Sequence, residues 1–406
     1  MRRTLNIFIL HPSDMLTDCR PHGDGLMADS FIRNLASQGH RLHVAVSERD
    51  LKEPYDSNVT LYRIDTGRKA TGLAARIRFA RGSYATFKRL ARQGLVDVVH
   101  QLNPVVTGLS LPFWNCPCPL VLGPYVPDWP LILYNGQLAS PRFLDRMKIR
   151  LKREIWQAQH RIADAIIVST PAALSKVRDR SRYQSKIHVI PYGVDAEAFT
   201  PSPLPQEKVI LFAGSLAQHK GVFVLLEAFR RVLRTFPDCT LLLAGDGPEA
   251  ERAQRVVATF DNPASVRFLG RVSREGLPAV MQACSVFCIP SFGEAFGLVA
   301  LEAMASGRPV VGTDASGLGY LIEDLGGRKA PVGDVDKLAQ NLTAILGDPD
   351  LARSMGEHNR RTAEHRYTWP HVIEQLEEVY AVALAQREDA RQNLTVRSVP
   401  SIADKS

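Results

Sequence analysis

The sequence predicts an α/β protein of two domains, each built around a parallel β-sheet with helices packed on both faces. Short runs rich in β-branched residues alternate with amphipathic stretches along the chain, a pattern typical of doubly wound sheets. A length of 406 residues exceeds what one hydrophobic core usually organises. Residues 191–207 contain four prolines and no hydrophobic periodicity, so we expect a linker there.

The first half predicts an N-terminal domain over residues 1–190. Its first helix is expected over residues 26–38, and Gly39 caps its C-terminal end. The candidate strands are nearly continuous in apolar residues, which indicates burial on both faces of the sheet. These strands cover residues 6–10, 41–46, 59–64, 95–100, 119–123, 164–170 and 186–191.

The second half repeats the alternation and predicts a C-terminal domain over residues 208–368. A helix follows over residues 369–390, and residues 391–406 are expected to form a flexible tail. The candidate strands cover residues 208–214, 240–247, 265–270, 285–291 and 308–313.

Composition and cysteine content favour a soluble protein of the cytoplasm. Hydrophobic residues make up 45% and charged residues 23%, and no apolar run is long enough to span a membrane. The six cysteines form neither a disulfide framework nor a zinc pattern. No cluster of acidic residues or histidines calls for a metal, and Asp334 is interpreted as the start of a helix.

The basic residues are concentrated in the first half, where 28 basic residues accompany 17 acidic ones. Eight basic residues lie between Asp65 and Asp97, and six lie between Arg142 and Arg153. This asymmetry favours an anionic partner, either an acidic acceptor or the inner face of a membrane that the protein touches peripherally. Nucleic acid is not expected, and a solvated basic face without a partner explains the charge equally well.

The segment PSFGEAFGLVALEAMASGRPVV (290–311) carries the densest chemical signal. A strand leads through a glycine-containing loop into a helix that is predicted to begin near Phe296. The first N–H groups of a helix have no internal partners, so the helix start at Phe296–Leu298 suits a diphosphate. Gly297 lets a ligand approach the backbone closely.

Two carboxylates bracket this helix start. Glu294 lies before it and Glu302 lies inside the helix, at a separation of about 12 Å for a fully helical segment. A carboxylate accepts hydrogen bonds from neighbouring hydroxyls, so one glutamate suits a sugar and the other a ribose, with a diphosphate between them. Alternatively, Glu294 is an acid favoured by the helix dipole and Glu302 is a surface residue.

This arrangement resembles the donor-binding motif of the family 4 retaining glycosyltransferases, over about residues 5–385 of the chain. The resemblance implies the GT-B fold, in which two Rossmann-like domains face a central cleft and the C-terminal helix returns to the N-terminal domain. It implies transfer of a hexosyl-type sugar, with retention, from a nucleotide-diphosphate sugar to a hydroxyl of a glycolipid, polysaccharide or small molecule. The departing phosphate oxygen would take the acceptor proton, and no metal or cofactor would be needed.

The same resemblance assigns further donor contacts. Lys220, in FAGSLAQHKG, matches the lysine that holds the donor diphosphate, and we take Glu294 and Lys220 as the catalytic pair. Ser215 stands where the family usually has an arginine, which removes a bidentate phosphate clamp. The backbone of Arg271–Val272 matches the segment that meets the nucleobase, and Gly25 approaches the diphosphate from across the cleft.

The acceptor side is expected in the N-terminal domain. His100, in DVVHQLNP, matches the first histidine of a family motif whose second histidine is Leu102 in this chain. Because that second histidine is absent, we favour the alternative in which His100 is a structural histidine that closes a strand. The loop over residues 123–136 contributes Tyr125 and Trp129 as acceptor-side candidates.

Other functions remain open at this stage. A GT-B epimerase acting on sugar nucleotides, or a phosphorylase, would share the fold. A non-catalytic partner subunit that binds sugar nucleotides would explain Ser215 and Leu102. A dinucleotide oxidoreductase is disfavoured because no G-x-G-x-x-G follows the first strand.

Overall fold

The computed structural model of the protein describes residues 3–11, 15–19, 23–67, 72–104, 106–127 and 143–397. In chain order, the first half contains β1 (Asn6–Leu10), β2 (Leu16–Thr17), α1 (Gly23–Ser37), β3 (Arg41–Val46), β4 (Arg49–Asp50), β5 (Val59–Arg63), α2 (Leu73–Arg92), β6 (Val98–Gln101), β7 (Leu120–Tyr125), α3 (Phe143–Ile162), β8 (Ala165–Val168), α4 (Arg180–Tyr183) and β9 (Ile187–Val189). The second half contains β10 (Val209–Ala213), α5 (Val222–Thr235), β11 (Thr240–Ala244), α6 (Ala250–Val257), β12 (Val266–Gly270), α7 (Leu277–Gln282), β13 (Val286–Ile289), α8 (Leu298–Ala305), β14 (Val310–Thr313), α9 (Ser316–Leu321), β15 (Gly327–Ala330), α10 (Val335–Leu346), α11 (Pro349–Arg366) and α12 (Trp369–Arg397).

Apart from β2 and β4, which pair with each other, the strands form two large parallel sheets, one in each half of the chain. The first sheet has seven strands in the order β5-β3-β1-β6-β7-β8-β9, and the second has six in the order β12-β11-β10-β13-β14-β15. In each sheet the strand order reverses beside the first strand, between β1 and β6 and between β10 and β13. Loops that leave such a pair of strands diverge, and they open a crevice at the carboxyl ends of the strands. The predicted pair of Rossmann-like domains is confirmed.

Helix α12 returns to the N-terminal domain, as expected. The Trp369 ring packs edge-on against Phe31 of α1 at a centroid distance of 5.1 Å. Further along α12, Arg387 makes a bidentate salt bridge to Asp164, at 2.8 and 2.9 Å. The helix continues to Arg397, so the first part of the expected tail at 391–406 is helical.

A chain of aromatic rings connects the two domains. Phe31 contacts Tyr192 at a centroid distance of 6.2 Å, and Tyr192 contacts Phe296 at 5.4 Å. Phe296 in turn contacts Tyr367 at 6.0 Å. All four residues are buried in one core cluster that contains residues of both domains. The cluster therefore fixes the loop before α8 against the N-terminal domain.

Strand β15 and the start of α1 differ from the sequence prediction. Strand β15 was not predicted, because its sequence GRKA contains two basic residues and no apolar run. Helix α1 begins at Gly23, before the predicted start at residue 26, and Gly25 lies in its first turn. In contrast, Asp334 starts α10 as predicted, since its side chain accepts a hydrogen bond from the Lys337 N–H. Within the described ranges, no helix combines the length and apolar character needed to cross a bilayer.

Candidate functional site

Lys220 and Glu294 meet at the carboxyl end of the second sheet. Lys220 ends a short 3-10 turn after β10, and Glu294 lies in the loop after β13, the strand beside β10. The Lys220 Nζ donates a hydrogen bond to the Glu294 Oε1 and forms an ion pair with it. Ser291 Oγ donates to the same oxygen at 3.1 Å. The Glu294 side chain is only 8% exposed, so this pair is largely shielded from water.

The two loops are joined through their backbones. Phe292 N–H donates to the His219 carbonyl at 2.9 Å, just before Lys220. Gly221 has a φ of 75°, and a Cβ there would lie 2.0 Å from the Pro290 carbonyl oxygen. Only glycine permits this approach. The close fit of the loops therefore places the ammonium of Lys220 beside the loop that carries Glu294.

Helix α8 starts immediately after this ion pair. Gly297 precedes it in the left-handed region, with a φ of 95°, and the helix begins at Leu298, two residues later than predicted. A Cβ on Gly297 would lie 2.6 Å from Leu318 Cδ2, so the position also requires a small residue. The N–H groups of the first turn of a helix carry partial positive charge and have no partners within the helix. The start of α8, which follows Glu294 in the chain, is therefore suited to an anion.

Glu302 lies inside α8, on the second turn. Although part of its side chain reaches solvent, burial raises the pKa of Glu302 to about 7, and the nearby charge of Arg274 partly offsets this increase. A carboxyl group with this pKa changes its charge near neutral pH. Glu302 thus differs from a fully solvated surface glutamate.

The remaining donor-side candidates follow neighbouring strands. Ser215 is exposed just after β10. Arg271 and Val272 follow β12, where Arg271 is exposed with its Nε 3.7 Å from Asp246 Oδ2, and Val272 is half-buried. Because β12, β11 and β10 are adjacent and parallel, these residues lie at the same carboxyl end of the sheet as Lys220.

The residues of both halves match known glycosyltransferase families. Residues 195–362 match the family described as "Glycosyl transferases group 1", and residues 23–198 match "Glycosyltransferase Family 4". The phosphatidyl-myo-inositol mannosyltransferase of Mycolicibacterium smegmatis is 30% identical over 76% of this chain and 77% of its own. The MMP alpha-(1->4)-mannosyltransferase of Mycolicibacterium hassiacum is 31% identical over 73% of this chain and 72% of its own. The chain belongs to the family 4 glycosyltransferases.

Solved structures share the fold of this family 4 glycosyltransferase. The Anabaena protein HepE in complex with UDP superposes with a TM-score of 0.69 at 19% identity, covering 93% of this chain and 100% of that chain. Sucrose-phosphate synthase from Thermosynechococcus elongatus gives a TM-score of 0.65 at 22% identity, covering 96% of this chain and 99% of that chain. The expected GT-B fold is therefore confirmed. The glycosyltransferase moves a sugar from a nucleotide-sugar donor to an acceptor.

Phe296, expected among the donor-binding residues, has its ring in the interdomain core. The ring is 1% exposed and lies between Tyr192 and Tyr367. Its side chain thus contributes to packing, and it positions Gly297 and the start of α8. Gly25, the candidate from the other domain, is buried in the first turn of α1.

His100 of the glycosyltransferase is fully buried at the end of β6. Its Nε2 lies 3.0 Å from the Gly123 carbonyl, so Nε2 must carry the proton, and Nδ1 accepts a hydrogen bond from the Tyr380 hydroxyl at 2.6 Å. Burial lowers the pKa of His100 to about 4. This geometry favours the structural interpretation, in which His100 connects the first sheet to α12.

The two aromatic acceptor-side candidates have different outcomes. Tyr125 ends β7 and is buried, with its ring 5.4 Å from the ring of His160. Trp129 falls outside the described residues. No group of three or more histidine, cysteine or acidic side chains suited to a metal occurs in the part of the chain that the structure describes.

Sequence reasoning missed the residues that support these groups. Ser291 holds Glu294 and lies three residues before it, inside the motif that identified Glu294. Lys152, Trp156 and Lys176 line a cavity together with Tyr125. No motif indicated these three residues, although Lys152 falls in the basic cluster of residues 142–153.

Proposed function

We propose that this enzyme transfers a hexosyl residue from a nucleoside-diphosphate sugar to an acceptor hydroxyl, with retention of the anomeric configuration and without a divalent metal. The observation that carries the proposal is the shielded Lys220–Glu294 pair beside the start of α8. This arrangement places a cation, a carboxylate and a helix N-terminus together in the second sheet, where the strand order reverses between β10 and β13.

Lys220 and α8 stabilise the departing diphosphate. When the bond between the sugar C1 and the phosphate oxygen breaks, negative charge develops on that oxygen. The Lys220 ammonium and the N–H groups at the start of α8 are oriented for that charge before the reaction, which is the condition for effective electrostatic catalysis. The phosphate oxygen then takes the proton of the acceptor hydroxyl as the new bond to C1 forms on the same face.

Glu294 orients the donor sugar. As an acceptor of hydrogen bonds it binds two neighbouring sugar hydroxyls, and its contact to Ser291 fixes its position. In the absence of donor it neutralises Lys220. Donor binding brings the diphosphate to Lys220 and the sugar hydroxyls to Glu294, so neither charge remains uncompensated.

Glu302 and the segment after β12 bind the nucleoside. Glu302 accepts hydrogen bonds from the ribose hydroxyls, and the backbone of Arg271–Val272 meets the base. The names of the relatives make mannose the first sugar to test, and the HepE complex makes uridine diphosphate one of the first nucleotides to test.

The basic face of the N-terminal domain contacts an anionic membrane surface. Large apolar side chains project from α2 and α3 among the basic residues: Leu73 is 75% exposed, Met147 57% and Leu151 63%. Apolar side chains combined with basic ones favour adsorption to the interface of anionic lipids. This peripheral contact would bring the enzyme to a lipid-linked acceptor.

A donor panel with analysis of the product tests the proposal. Each nucleotide sugar is incubated with the enzyme, excess chelator and candidate acceptors, and the new linkage is examined by NMR. We expect transfer with the anomeric configuration of the donor. An inverted anomer, or activity that chelator abolishes and Mn²⁺ restores, would contradict the proposal. An epimerised nucleotide sugar, or a sugar 1-phosphate formed from phosphate, would favour the epimerase or phosphorylase.

A further inference from the structure

A cavity of about 40 Å³ lies at the carboxyl end of β7, next to the loop after β6 and to α3. A single water needs about 10–15 Å³ of such space, so a group the size of a phosphate fits. Asn103, Tyr125, Lys152, Trp156 and Lys176 are among its lining residues. None of these is used by the donor site.

Two ammonium groups approach the same indole in this cavity. The Lys152 Nζ and the Lys176 Nζ each lie 4.7 Å from the centre of the Trp156 ring. Burial lowers the pKa of Lys176 to about 8. The two lysines place positive charge on the wall of the cavity, and this charge favours the binding of an anion.

Two hydrogen-bond donors line the same space. Tyr125 is 3% exposed and Trp156 is 7% exposed. Within the described ranges of the chain, neither the Tyr125 hydroxyl nor the Trp156 Nε1 has a hydrogen-bond partner. Buried polar groups are normally satisfied, so unsatisfied ones indicate a missing ligand or water. Both groups can donate, as do the two lysines, and together they select an oxygen-rich anion.

The cavity lining also contains an acidic residue, Asp24, at the start of α1. A carboxylate repels an anion, so the anion is placed beside the lysines rather than beside Asp24. The wall between them is fixed. Asn103 donates to the Asp24 carbonyl at 3.3 Å and accepts from the Tyr192 hydroxyl at 3.3 Å.

The cavity is connected to the donor site through packed residues. Tyr192, which contacts Asn103, also contacts Phe296 at a ring distance of 5.4 Å. Phe296 directly precedes Gly297 at the start of α8. An acceptor anchored in the cavity therefore lies on the side of the N-terminal domain that is packed against the donor loops.

We propose that this cavity binds a phosphate group of the acceptor, with Lys152 and Lys176 supplying charge and Tyr125 and Trp156 donating hydrogen bonds. The assignment to the acceptor rests on the proposed function, whereas phosphate binding by itself does not. The phosphate belongs either to a soluble phosphate ester or to a lipid headgroup.

The first experiment measures binding of inorganic phosphate to the full-length enzyme by tryptophan fluorescence at constant ionic strength. We expect saturable quenching that Trp156→Phe removes, and an apparent Kd at least tenfold higher in Lys152→Met and Lys176→Met. Tyr125→Phe should weaken binding by a few fold. Lys208→Met is the matched control, because the Lys208 Nζ lies 4.9 Å from the ring centre of Phe236 in the other domain. Absence of saturable binding, or equal losses in the Lys208 control, would overturn the proposal.

The second experiment compares acceptors with and without their phosphate group. We expect kcat/KM to be at least tenfold higher for the phosphorylated acceptor, and this preference should disappear in Lys152→Met while donor hydrolysis without acceptor stays unchanged. Competition by glycerol phosphate would assign a soluble ester, and competition only by vesicles of phosphatidylglycerol would assign a headgroup. If the enzyme binds phosphate but transfers no sugar to any acceptor, the proposed function fails and the anion site stands. Transfer that shows no preference for phosphorylated acceptors would overturn the acceptor assignment.

Discussion

Lys220 and Glu294 are 74 residues apart in the sequence, yet their side chains form an ion pair between the loops of two adjacent strands. The Glu294 oxygen that pairs with Lys220 also accepts a hydrogen bond from Ser291. Removing one partner of a shielded pair leaves the other charge uncompensated, which is costly. The pair is thus stable only as a unit or with a ligand that replaces one of its members.

Substitution of the two glutamates should separate sugar transfer from nucleotide binding. Glu294→Gln should retain nucleotide affinity and reduce sugar transfer about 100-fold or more, because a contact to the reacting sugar is lost. Glu302→Gln should instead weaken binding of the free nucleoside diphosphate. Steady-state kinetics and calorimetry measure the two effects. Unchanged turnover in both variants would exclude the assignment of the two carboxylates.

Donor affinity should depend on pH through Glu302, whose pKa is raised to about 7. As the pH falls from 8 to 6 the carboxylate becomes protonated and accepts hydrogen bonds less well, so affinity should fall by about threefold to tenfold. A nucleotide sugar is the appropriate probe because its diphosphate keeps its charge in this range. Glu302→Gln is the control and should remove the dependence on pH.

The same raised pKa predicts an effect on stability. The folded state holds a proton on Glu302 between the ordinary pKa of 4.5 and about 7, so ionisation destabilises the fold as the pH rises through this window. Glu302→Gln should therefore be more stable than the parent at pH 8 and nearly equal at pH 4.5. Urea unfolding at the two pH values measures the difference, and equal differences at both would contradict the raised pKa.

The hydrogen bond between His100 and Tyr380 should stabilise the attachment of α12. Tyr380→Phe leaves the buried Nδ1 of His100 without a donor, so we expect a loss of about 1–3 kcal/mol in the free energy of unfolding. Tyr62→Phe is the matched control, since Tyr62 also bonds to a histidine, His43, at 3.1 Å, but both side chains are only partly buried. Chemical denaturation measures the free energy of unfolding of both variants. Equal losses in Tyr380→Phe and Tyr62→Phe would argue against a special role for His100.

The basic face should bind anionic vesicles at low salt and release them at high salt. The interaction should weaken as the ionic strength shortens the ~10 Å screening length. Leu73→Ser should reduce pelleting with anionic vesicles, because Leu73 is 75% exposed on this face. Leu325→Ser is the control, since Leu325 is 70% exposed in the other domain. Equal recovery with neutral and anionic vesicles would leave only a solvated basic face.

Much of the fold could be predicted from the sequence because strands buried in parallel sheets have nearly continuous runs of apolar residues. Strand β15 escaped this rule, since GRKA has charged residues at its two central positions. The start of α8 was placed two residues early, because Phe296 looks helical in sequence while its ring is needed in the interdomain core. The left-handed conformation of Gly297 then sets the true start.

The site was less predictable where it depends on long-range packing. The motif identified Glu294, and the strand order explains why Lys220 is near it, but their direct pairing requires the folded loops. The bond of His100 to Tyr380 joins residues 280 positions apart. This bond forms only because α12, at the end of the chain, packs against the first sheet. The sequence around His100 contains no pattern that predicts this packing.

The most direct test of the account is the rate of sugar transfer by Lys220→Ala in the presence of chelator. Loss of an oriented cation for the departing diphosphate should reduce kcat/KM by about 100-fold or more, while affinity for the nucleoside monophosphate stays close to the parent. Because Glu294 loses its partner, the Tm should fall, so the rates are compared at a temperature where both enzymes are folded. Lys337→Ala, an exposed lysine of the same domain, is the matched control and should behave like the parent. A Lys220→Ala enzyme that transfers sugar at the parental rate would contradict the claim that Lys220 stabilises the departing diphosphate.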